Sequence, residues 1–321
     1  MPSDISGVVA AVSHDRLIEQ TLVTAMRRFC RRAIREGLAI APESLRRHVA
    51  RVPFSRYHWS LALVRGPEQV TWKSVQLEVD AGEIEGFFQY FLGVSATCSD
   101  AEVDALLALC THPRTVLFDV GANVGALSLA VAAACPQVSI VSFEPDVIAA
   151  ARFRQNLTLN LDLSRRVEVV QAAVGARDGA CAFYPGPATE RELGSLIEKA
   201  GVAPHSIQCH RLDSFCGTTG RFPDVLKVDV EGAELQVLDG MAGVPDDRWP
   251  RAILMEVHGA ASPVGTSALS AAVHGALAAR GYELFELTER GQAPARPPQQ
   301  WPARIHIVAR RSPSQLSRRT A

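Results

Sequence analysis

The feature that most constrains the fold is the stretch Val-Leu-Phe-Asp-Val-Gly-Ala-Asn-Val-Gly at positions 116–125. An apolar run of strand length ends there in a glycine-containing turn, and the segment 126–134, which has the apolar spacing of a helix, follows at once. A strand, a glycine turn and a helix in this order are typical of the opening of a doubly wound α/β domain. We therefore predict such a domain, with its ligand loop at residues 121–125.

An acidic residue beside this loop indicates the kind of ligand. A loop that binds pyrophosphate offers backbone N–H groups and a helix N-terminus to an anion, and a nearby carboxylate opposes that charge. Asp119 stands two residues before the first glycine. S-adenosylmethionine carries an ammonium and a sulfonium group and no phosphate, so the loop favours this methyl donor over a dinucleotide. The alternative is a plain strand-to-helix turn, with Asn123 near the helix cap and Asp119 bonded to the loop.

A second acid follows the next buried strand, residues 138–143. In doubly wound folds an acid at this point accepts hydrogen bonds from a ribose diol, and Glu144 is placed for that role. Pro145 and Asp146 after it also suit an ordinary helix start. The third strand, residues 167–170, is followed by no acidic residue. Recognition of an adenine near Ala173 would therefore have to use backbone groups or other side chains.

Two later strands also end in polar residues. Asp229 and Glu231 follow the strand 225–228, and Glu256 and His258 close the strand 252–257. Ligands bind beside the carboxyl ends of such strands, so these side chains reach the mouth of the pocket. Glu256 and His258 are two positions apart and point to the same side of an extended chain. Glu234, in the first turn of the next helix, is explained equally well by the helix dipole.

The remaining segments give further predictions. Residues 70–79 have strand character, Asp178-Gly179 indicates a hairpin turn between 174 and 180–184, and 185–204 is an excursion with a short helix near 190–199. The segment 185–204 is either part of a lid over the substrate or a surface insertion without a role in the site. Beyond the acidic clusters, we expect a helix at 267–280 and strands at 282–287 and 305–310.

The N-terminal region differs from the rest. Residues 15–50 read as a helix rich in arginine, which is either a solvated face or a surface for a membrane or a partner. Residues 82–93 are aromatic and either pack on the sheet or roof a pocket. We divide the chain into an N-terminal, mainly helical extension (1–98), the α/β domain (99–310) and a basic tail (311–321) that is expected to be disordered.

Composition excludes several classes of function. The net charge is −1, which gives no attraction to nucleic acid, and no aromatic-plus-basic platform accompanies the arginines. The chain has seven cysteines without a Cys-x-x-Cys pair, which indicates free thiols in a reducing compartment. We find no signal peptide and no run of the ~20 apolar residues that a membrane span needs. The expected location is the cytoplasm.

Taken together, these motifs resemble those of the FkbM family of S-adenosylmethionine-dependent methyltransferases. The similarity covers about residues 82–310 and rests on Phe-Asp-Val-Gly-Ala-Asn-Val-Gly (118–125), Phe-Glu-Pro (143–145), Leu-Lys-Val-Asp-Val-Glu-Gly-Ala-Glu (226–234) with Val-Leu-Asp-Gly (237–240), and Leu-Met-Glu-Val-His (254–258).

The resemblance implies a class I methyltransferase (Rossmann-like) fold, with a seven-stranded, mostly parallel sheet, an antiparallel last strand and helices on both faces. It implies O-methylation of a hydroxyl on a small molecule, commonly a sugar or a polyketide-type product of secondary metabolism. By this likeness Asp119, Gly121, Asn123, Gly125 and Glu144 contact the cofactor. The wider set of expected cofactor contacts adds Ala122, Phe143, Pro145, Ala173 and Asp229.

Methyl transfer to an alcohol requires that its proton be drawn away by a base or a metal. Our hypothesis is that His258 or Asp229 takes the proton, while Glu231 and Glu256 orient the substrate. The same four residues could hold Mg²⁺, since hard oxygen ligands suit that ion, although the sequence assigns no metal ligand. Two alternatives stay open: a nicotinamide-dependent oxidoreductase that uses the same loop, and a catalytically silent cofactor-binding protein that docks in a biosynthetic assembly.

Overall fold

The computed structural model describes residues 67–80, 100–188 and 190–311, together with two isolated helical positions, Ala33 and Glu36. The chain divides into two units, one made of residues 1–70 and 78–96 and the other of residues 71–77 and 97–321. The predictions for the rest of the arginine-rich segment 15–50, for the aromatic segment 82–93 and for the tail after residue 311 lie outside the described residues.

The first described elements are strands β1 (Pro67–Trp72) and β2 (Val75–Asp80), which pair with each other. The strand character predicted for 70–79 is confirmed, but the chain reverses at Lys73 and Ser74, so the segment belongs to two strands. Both residues have left-handed backbone conformations, with φ of 47° and 68°. A two-residue hairpin turn requires such values, but glycine, asparagine or aspartate usually marks it.

From residue 100 onward, helices and strands alternate along the chain. The helices are α1 (Asp100–Leu109), α2 (Ala126–Ala134), α3 (Val147–Thr158), α4 (Leu212–Thr219), α5 (Glu234–Asp239) and α6 (Thr266–Ala279). The strands are β3 (Val116–Val120), β4 (Ser139–Phe143), β5 (Val167–Val170), β6 (Ala173–Val174), β7 (Gly179–Phe183), β8 (His205–His210), β9 (Val225–Val228), β10 (Ala252–His258), β11 (Tyr282–Thr288), β12 (Gly291–Pro294) and β13 (Arg304–Arg311).

Most of these strands form one mixed sheet with the order β12-β11-β13-β10-β9-β3-β4-β5. The strands from β5 to β10 in this order run parallel to one another. Strand β13, the last of the chain, lies antiparallel between β10 and β11. The predicted class I methyltransferase fold is therefore confirmed. The short edge strand β12, which the sequence did not predict, extends the sheet beyond the expected seven strands.

The strand order reverses at β3, and this reversal determines where a ligand binds. The chain winds outward from β3 to β4 and β5, and later from β9 to β10 on the other side. Right-handed crossovers place helices α2 and α3 on one face of the sheet and α5 and α6 on the other. The loops after β3, β4, β9 and β10 consequently surround one crevice at the carboxyl edge of the sheet, the usual ligand site of such folds.

An aromatic cluster beneath this edge fixes the first strands. The rings of Phe118 and Phe143 are fully buried and lie 5.7 Å apart in an edge-to-face arrangement. Phe215 of helix α4 contacts both, at 5.9 Å and 5.0 Å between ring centroids. Edge-to-face pairs of this kind add to the free energy gained from burial. Helix α4 was not predicted, yet it holds β3 and β4 in register.

A small second sheet with the order β6-β8-β7 corrects the prediction of a hairpin at Asp178-Gly179. Strand β8 lies between β6 and β7, so those two strands do not pair. The Asp178 carboxylate instead accepts hydrogen bonds from the Arg211 backbone N–H (2.9 Å) and the Ser214 hydroxyl (2.7 Å). The helix expected near 190–199 is reduced to one 3-10 turn at Arg191–Leu193.

Within the described ranges, no helix has both the length and the apolar character needed to cross a bilayer.

Candidate active site

Left-handed backbone conformations shape the glycine loop after β3. Gly121, Asn123 and Gly125 have φ of 80°, 50° and 81°. The two glycines are also required by packing. A Cβ atom on Gly121 would lie 1.8 Å from the Asp229 carbonyl oxygen, and one on Gly125 would lie 2.1 Å from the Phe153 ring. The loop therefore packs directly against the end of β9 on one side and against helix α3 on the other.

Backbone N–H groups of this loop are already engaged within the protein. Those of Gly121 and Ala122 donate to the Phe143 carbonyl oxygen at 3.0 Å and 3.1 Å. That of Asn123 donates to a carboxylate oxygen of Glu144 at 2.7 Å. A loop that binds pyrophosphate needs such groups for the anion. The geometry of this loop therefore disfavours a dinucleotide.

The Asp119 side chain is buried and paired inside the protein, so the structure gives no support to the charge argument drawn from it. Its side chain is only 1% exposed. The Ser128 hydroxyl donates to one of its carboxylate oxygens at 2.6 Å, and Lys227 Nζ lies 3.2 Å from the other. A buried carboxylate neutralised by an ammonium does not select a cationic ligand. Asp119 supports the loop from inside the protein, and its contact with the cofactor stays a prediction.

Lys227, which the sequence analysis did not single out, links the glycine loop to the next strand end. Its Nζ donates to the Gly121 carbonyl oxygen at 2.8 Å and lies 3.6 Å from Asp229 Oδ2. Burial lowers the pKa of this amine, but the carboxylates of Asp119 and Asp229 outweigh burial and raise the pKa above its ordinary value. The ammonium therefore stays charged. A lysine within the apolar strand 225–228 was the signal that could have revealed it.

Glu144 lies where the sequence placed it, at the end of β4, and it organises the loop. Besides the Asn123 N–H, it accepts the N–H of Asp146 at 2.8 Å through its second oxygen. The residue is 6% exposed. Burial raises the pKa of this carboxyl to about 7, although the two N–H groups oppose that shift. Glu144 thus anchors the glycine loop. It also occupies the position at which a residue that binds the ribose of a nucleoside is expected.

The side chains of three other predicted cofactor contacts are buried, and their contact with the cofactor stays a prediction. Phe143 is 0% exposed in the aromatic cluster, Ala122 is 6% exposed, and Ala173 is 4% exposed in β6. Only backbone atoms of these residues remain for a ligand. Pro145 is partly exposed and precedes Asp146, whose carboxylate caps helix α3 by accepting two backbone N–H groups at 2.9 Å.

The polar residues at the ends of β9 and β10 converge on the imidazole of His258. Its Nε2 lies 3.3 Å from Glu231 Oε1, 3.4 Å from Glu256 Oε1 and 3.8 Å from Asp229 Oδ1. We call these four residues the carboxylate–histidine cluster. The side chains of Asp229 and Glu231 are 23% and 17% exposed, whereas those of Glu256 and His258 are 6% and 7% exposed. Asp229 and Glu231 therefore form the open side of the cluster.

Glu234 fixes the orientation of the imidazole, a role that the helix-dipole interpretation missed. Its side chain is fully buried, and Oε1 lies 2.9 Å from His258 Nδ1. The same oxygen accepts the backbone N–H of Gly232 at 3.0 Å and that of His258 at 3.3 Å. Nδ1 therefore donates to Glu234, and Nε2 is the nitrogen that faces the other carboxylates.

A second group of charges lies behind Glu256. His306 Nε2 is 3.1 Å from Glu256 Oε2 and 3.3 Å from Glu102 Oε1. Arg304 Nε is 3.1 Å from Glu256 Oε1. The sequence analysis missed these three residues, although a histidine between two buried isoleucines of strand β13 was a usable signal.

The protonation states follow from this crowding. Burial lowers the pKa of His258, but the carboxylates of Glu234, Glu256 and the other nearby acids outweigh burial and raise the pKa to about 11. Burial raises the pKa of the Glu231 carboxyl to about 7. Burial also disfavours the charged form of Glu256, yet His258 and His306 overcome it and lower the pKa of that carboxyl. At neutral pH, His258 is therefore a cation and not a free base.

The chain is similar to several known methyltransferases. The chain is 32% identical over 151 residues to the 2-O-methyltransferase NoeI of Sinorhizobium fredii, which covers 42% of this chain and 60% of NoeI. It is 31% identical over 153 residues to Methyltransferase 1 of Beauveria bassiana, covering 41% of this chain and 59% of that protein. It is 29% identical over 225 residues to the 31-O-demethyl-FK506 methyltransferase FkbM of Streptomyces tacrolimicus, covering 58% and 82%.

The chain thus spans about three fifths of the length of NoeI and of Methyltransferase 1. A family model described as the methyltransferase FkbM domain matches residues 119–284, just over half of the chain, and this match includes the glycine loop, Glu144 and the carboxylate–histidine cluster. The chain therefore belongs to the FkbM family of S-adenosylmethionine-dependent methyltransferases.

Proposed function

We propose that this protein transfers a methyl group from S-adenosylmethionine to a hydroxyl group of a small molecule. The observation that carries the proposal is the direct contact between the glycine loop and the carboxylate–histidine cluster. Lys227 binds the Gly121 carbonyl oxygen and lies beside Asp229, and Gly121 packs on the Asp229 backbone. A donor held by the loop and an acceptor held by the cluster are therefore neighbours, as methyl transfer requires.

The loop residues are suited to S-adenosylmethionine, whose sulfonium supplies the methyl group. Glu144 lies at the strand end where a ribose diol is recognised, and it retains acceptor capacity because each carboxylate oxygen has more than one lone pair. Gly121 and Asn123 are partly exposed and so present backbone to a ligand. The N–H groups of Gly121, Ala122 and Asn123 are taken, which separates this proposal from the nicotinamide-dependent alternative.

The cluster supplies the proton acceptor for the substrate hydroxyl. His258, which the sequence proposed as a base, is held in its cationic form by the surrounding carboxylates. Glu231 suits the role better because it is on the open side of the cluster and its pKa of about 7 is near neutral pH. Asp229, the most exposed carboxylate of the cluster, would hold the hydroxyl next to Glu231. Glu256 and His258 would keep both carboxylates in place.

The names of two relatives support the type of acceptor. NoeI is named a 2-O-methyltransferase and FkbM a 31-O-demethyl-FK506 methyltransferase, so each acts on an oxygen. We infer that the acceptor of this protein is a hydroxyl of a sugar or of a polyketide-type natural product.

Calorimetric titration of the full chain with S-adenosylhomocysteine and with NADH tests the cofactor. We expect binding of the sulfur nucleoside and none of NADH, and the reverse result would overturn the proposal. Transfer of a labelled methyl group to a panel of glycosides and macrolactones then tests the reaction. Glu231→Gln should lower turnover by about 10²- to 10⁴-fold, the usual contribution of a positioned base, with unchanged affinity for S-adenosylhomocysteine.

The exposed pair Glu168–Arg221 provides the matched control, since Glu168→Gln makes the same chemical change on the surface and should leave turnover unchanged. A chain that binds S-adenosylhomocysteine but methylates no acceptor in the panel or in a host extract would favour the catalytically silent binding protein instead.

A further inference from the structure

We propose that Asp229, Glu231 and His258 bind one divalent transition-metal cation at the open side of the carboxylate–histidine cluster. One ligand atom from each of these three residues lies within 4.8 Å of the other two, so a single ion can reach all three.

The ring nitrogen of His258 is the observation that distinguishes this group from an ordinary acidic patch. Nε2 is buried and, among the residues that the structure describes, makes no hydrogen bond of good geometry. It points at oxygens of Glu231 and Asp229, 3.3 Å and 3.8 Å away. A buried imidazole nitrogen at these distances from two carboxylates is placed to bind a cation between them, with release of its proton.

The distances match those of a coordination shell. Bonds of ~2.1 Å from a metal to nitrogen and oxygen place adjacent ligand atoms about 3.0 Å apart in an octahedron and about 3.4 Å apart in a tetrahedron. The separations of Nε2 from Glu231 Oε1 (3.3 Å) and Asp229 Oδ1 (3.8 Å) are close to these values. Asp229 and Glu231 are the more exposed members of the cluster, so their carboxylates have the most room to rotate toward an ion.

Glu234 provides the support that a metal-binding histidine needs. Such a histidine donates its other ring N–H to a carboxylate or carbonyl group, which fixes the tautomer and the ring orientation. Glu234 Oε1 takes that position at 2.9 Å from Nδ1, and its side chain is fully buried. In addition, Ser195 donates a hydrogen bond to the Glu231 carbonyl oxygen at 2.7 Å and so restrains the backbone of a proposed ligand.

Glu256 is a neighbour of this site and not one of its ligands. Its Oε1 lies between His258 and Arg304, and its Oε2 contacts His306. These cations occupy both of its oxygens. The related group of Glu102, Glu256 and His306 is a weaker candidate for the same reason, and because the His306 side chain is 24% exposed.

The ligand set favours some cations over others. Ca²⁺ and Mg²⁺ prefer all-oxygen sites, whereas an imidazole nitrogen with two carboxylates suits Mn²⁺, Co²⁺ or Zn²⁺. The geometry therefore points to one of these ions in place of the Mg²⁺ considered from the sequence. A bound cation would lower the pKa of Glu231, and Glu231 would then present its second oxygen to a hydroxyl that the cation itself makes more acidic.

The consequence for catalysis rests on the proposed function. A cation at this place would polarise the acceptor hydroxyl as a Lewis acid and make its proton easier to remove. The binding of the cation does not depend on that function and is tested separately.

The test is a titration of the chelator-treated full chain with MnCl₂. Electron paramagnetic resonance measures the free ion during the titration, and calorimetry measures the heat of binding. We expect one Mn²⁺ per chain. Asp229→Asn and Glu231→Gln should each weaken the affinity at least tenfold, and Glu234→Gln by about 10- to 100-fold, the usual effect of losing a supporting carboxylate. Glu168→Gln and His205→Gln, both on the exposed surface, should bind like the wild type.

His258→Gln removes the nitrogen ligand and should abolish binding. Circular dichroism shows whether that variant folds, and if it does not, the two conservative carboxylate variants decide. Absence of Mn²⁺ binding to the wild type, or equal binding by the carboxylate variants, would overturn the site. Mn²⁺ binding without methyl transfer would sustain the site and refute the proposed function, while metal-independent methyl transfer by a chain that binds no Mn²⁺ would do the opposite.

Discussion

Lys227 Nζ lies 3.2 Å from Asp119 Oδ1, and this buried ion pair joins two strand ends that meet at the point where the winding of the sheet reverses. Both side chains are at least nine-tenths buried. The same ammonium is 3.6 Å from Asp229. One lysine therefore neutralises both Asp119, which lies just before the glycine loop, and Asp229 of the cluster.

Removal of this ammonium should strongly destabilise the fold. Lys227→Met leaves the Asp119 carboxylate buried without a counter-charge, and loss of one partner from a buried pair costs about 3–5 kcal/mol of unfolding free energy. Urea unfolding followed by circular dichroism measures the change. The double variant Asp119→Asn/Lys227→Met should recover part of the loss, because the uncompensated charge is then absent. Equal stability of the wild type and Lys227→Met would contradict the inferred pairing.

The same pair shows why the sequence predicted the fold better than the site. Strand β3 and helix α2 were predicted with the bounds that the structure shows, because apolar spacing within a short segment determines a strand or a helix. The partner of Asp119 lies on another strand and is brought near only by the order of strands in the sheet. The pattern around Asp119 therefore did not reveal this pairing, while the family that its motif indicates was confirmed.

The other differences have comparable causes. The turn at Lys73-Ser74 uses left-handed backbone without glycine, so its sequence gave no turn signal. Strand β8 inserts between β6 and β7. A turn signal between two neighbouring segments does not show that a later strand will separate them. The convergence of Asp229, Glu231, Glu256 and His258 was predicted, since parallel strands bring their carboxyl ends to one edge. The orientation of His258 by Glu234 was not, because a helix-start acid has an adequate local explanation.

Affinity for S-adenosylhomocysteine should depend on pH through Glu144. As a carboxylate, Glu144 accepts the N–H of Asn123 with one oxygen and that of Asp146 with the other. Burial raises its pKa to about 7, so the proton that it takes up below this pH removes one acceptor and loosens the loop. We expect affinity to fall between pH 8 and pH 6. Calorimetric titration at three pH values across this range measures it.

The variant Glu144→Gln tests whether Glu144 causes the pH dependence of S-adenosylhomocysteine affinity. The amide has one acceptor oxygen, so the variant should bind S-adenosylhomocysteine about 5- to 30-fold more weakly at pH 8, which corresponds to one lost acceptor for a buried N–H. Its affinity should change little with pH. A variant whose affinity retained the pH dependence of the wild type would show that another group titrates.

The contribution of His306 to stability should disappear at high pH. Burial lowers the pKa of this imidazole, but Glu102 and Glu256 outweigh burial and raise the pKa to about 10. A histidine whose pKa is raised in the folded state stabilises the protein fully below its ordinary pKa of ~6.5, and the contribution is lost as the pH rises toward the folded value. His306→Gln should therefore cost about 1–3 kcal/mol at pH 6 and much less at pH 10.

Urea unfolding of the wild type and His306→Gln at both pH values provides the measurement. His205 on strand β8 is exposed, and His205→Gln should leave the unfolding free energy unchanged at either pH. A stability difference for His306→Gln that stays constant from pH 6 to pH 10 would exclude the charged imidazole as its source.

Ser195 should affect turnover more than cofactor binding. Its hydroxyl is buried, donates to the Glu231 carbonyl oxygen at 2.7 Å and accepts the Ile197 N–H at 3.0 Å. It therefore ties the segment 185–204, for which the sequence left open a role in a substrate lid, to the residue that we propose as proton acceptor. Ser195→Ala removes the hydroxyl from two partly buried backbone groups, the Glu231 carbonyl and the Ile197 N–H, at a cost of about 1 kcal/mol for each hydrogen bond.

Because Ser195 contacts Glu231 and not the glycine loop, Ser195→Ala should lower kcat while the affinity for S-adenosylhomocysteine stays within about twofold of the wild type. Ser206→Ala, at an exposed position on strand β8, is the matched control and should change neither quantity. If Ser195→Ala instead weakened cofactor binding and left kcat unchanged, the segment 185–204 would belong to the cofactor side of the site. Methyl-transfer kinetics and calorimetry on the same preparations distinguish the two results.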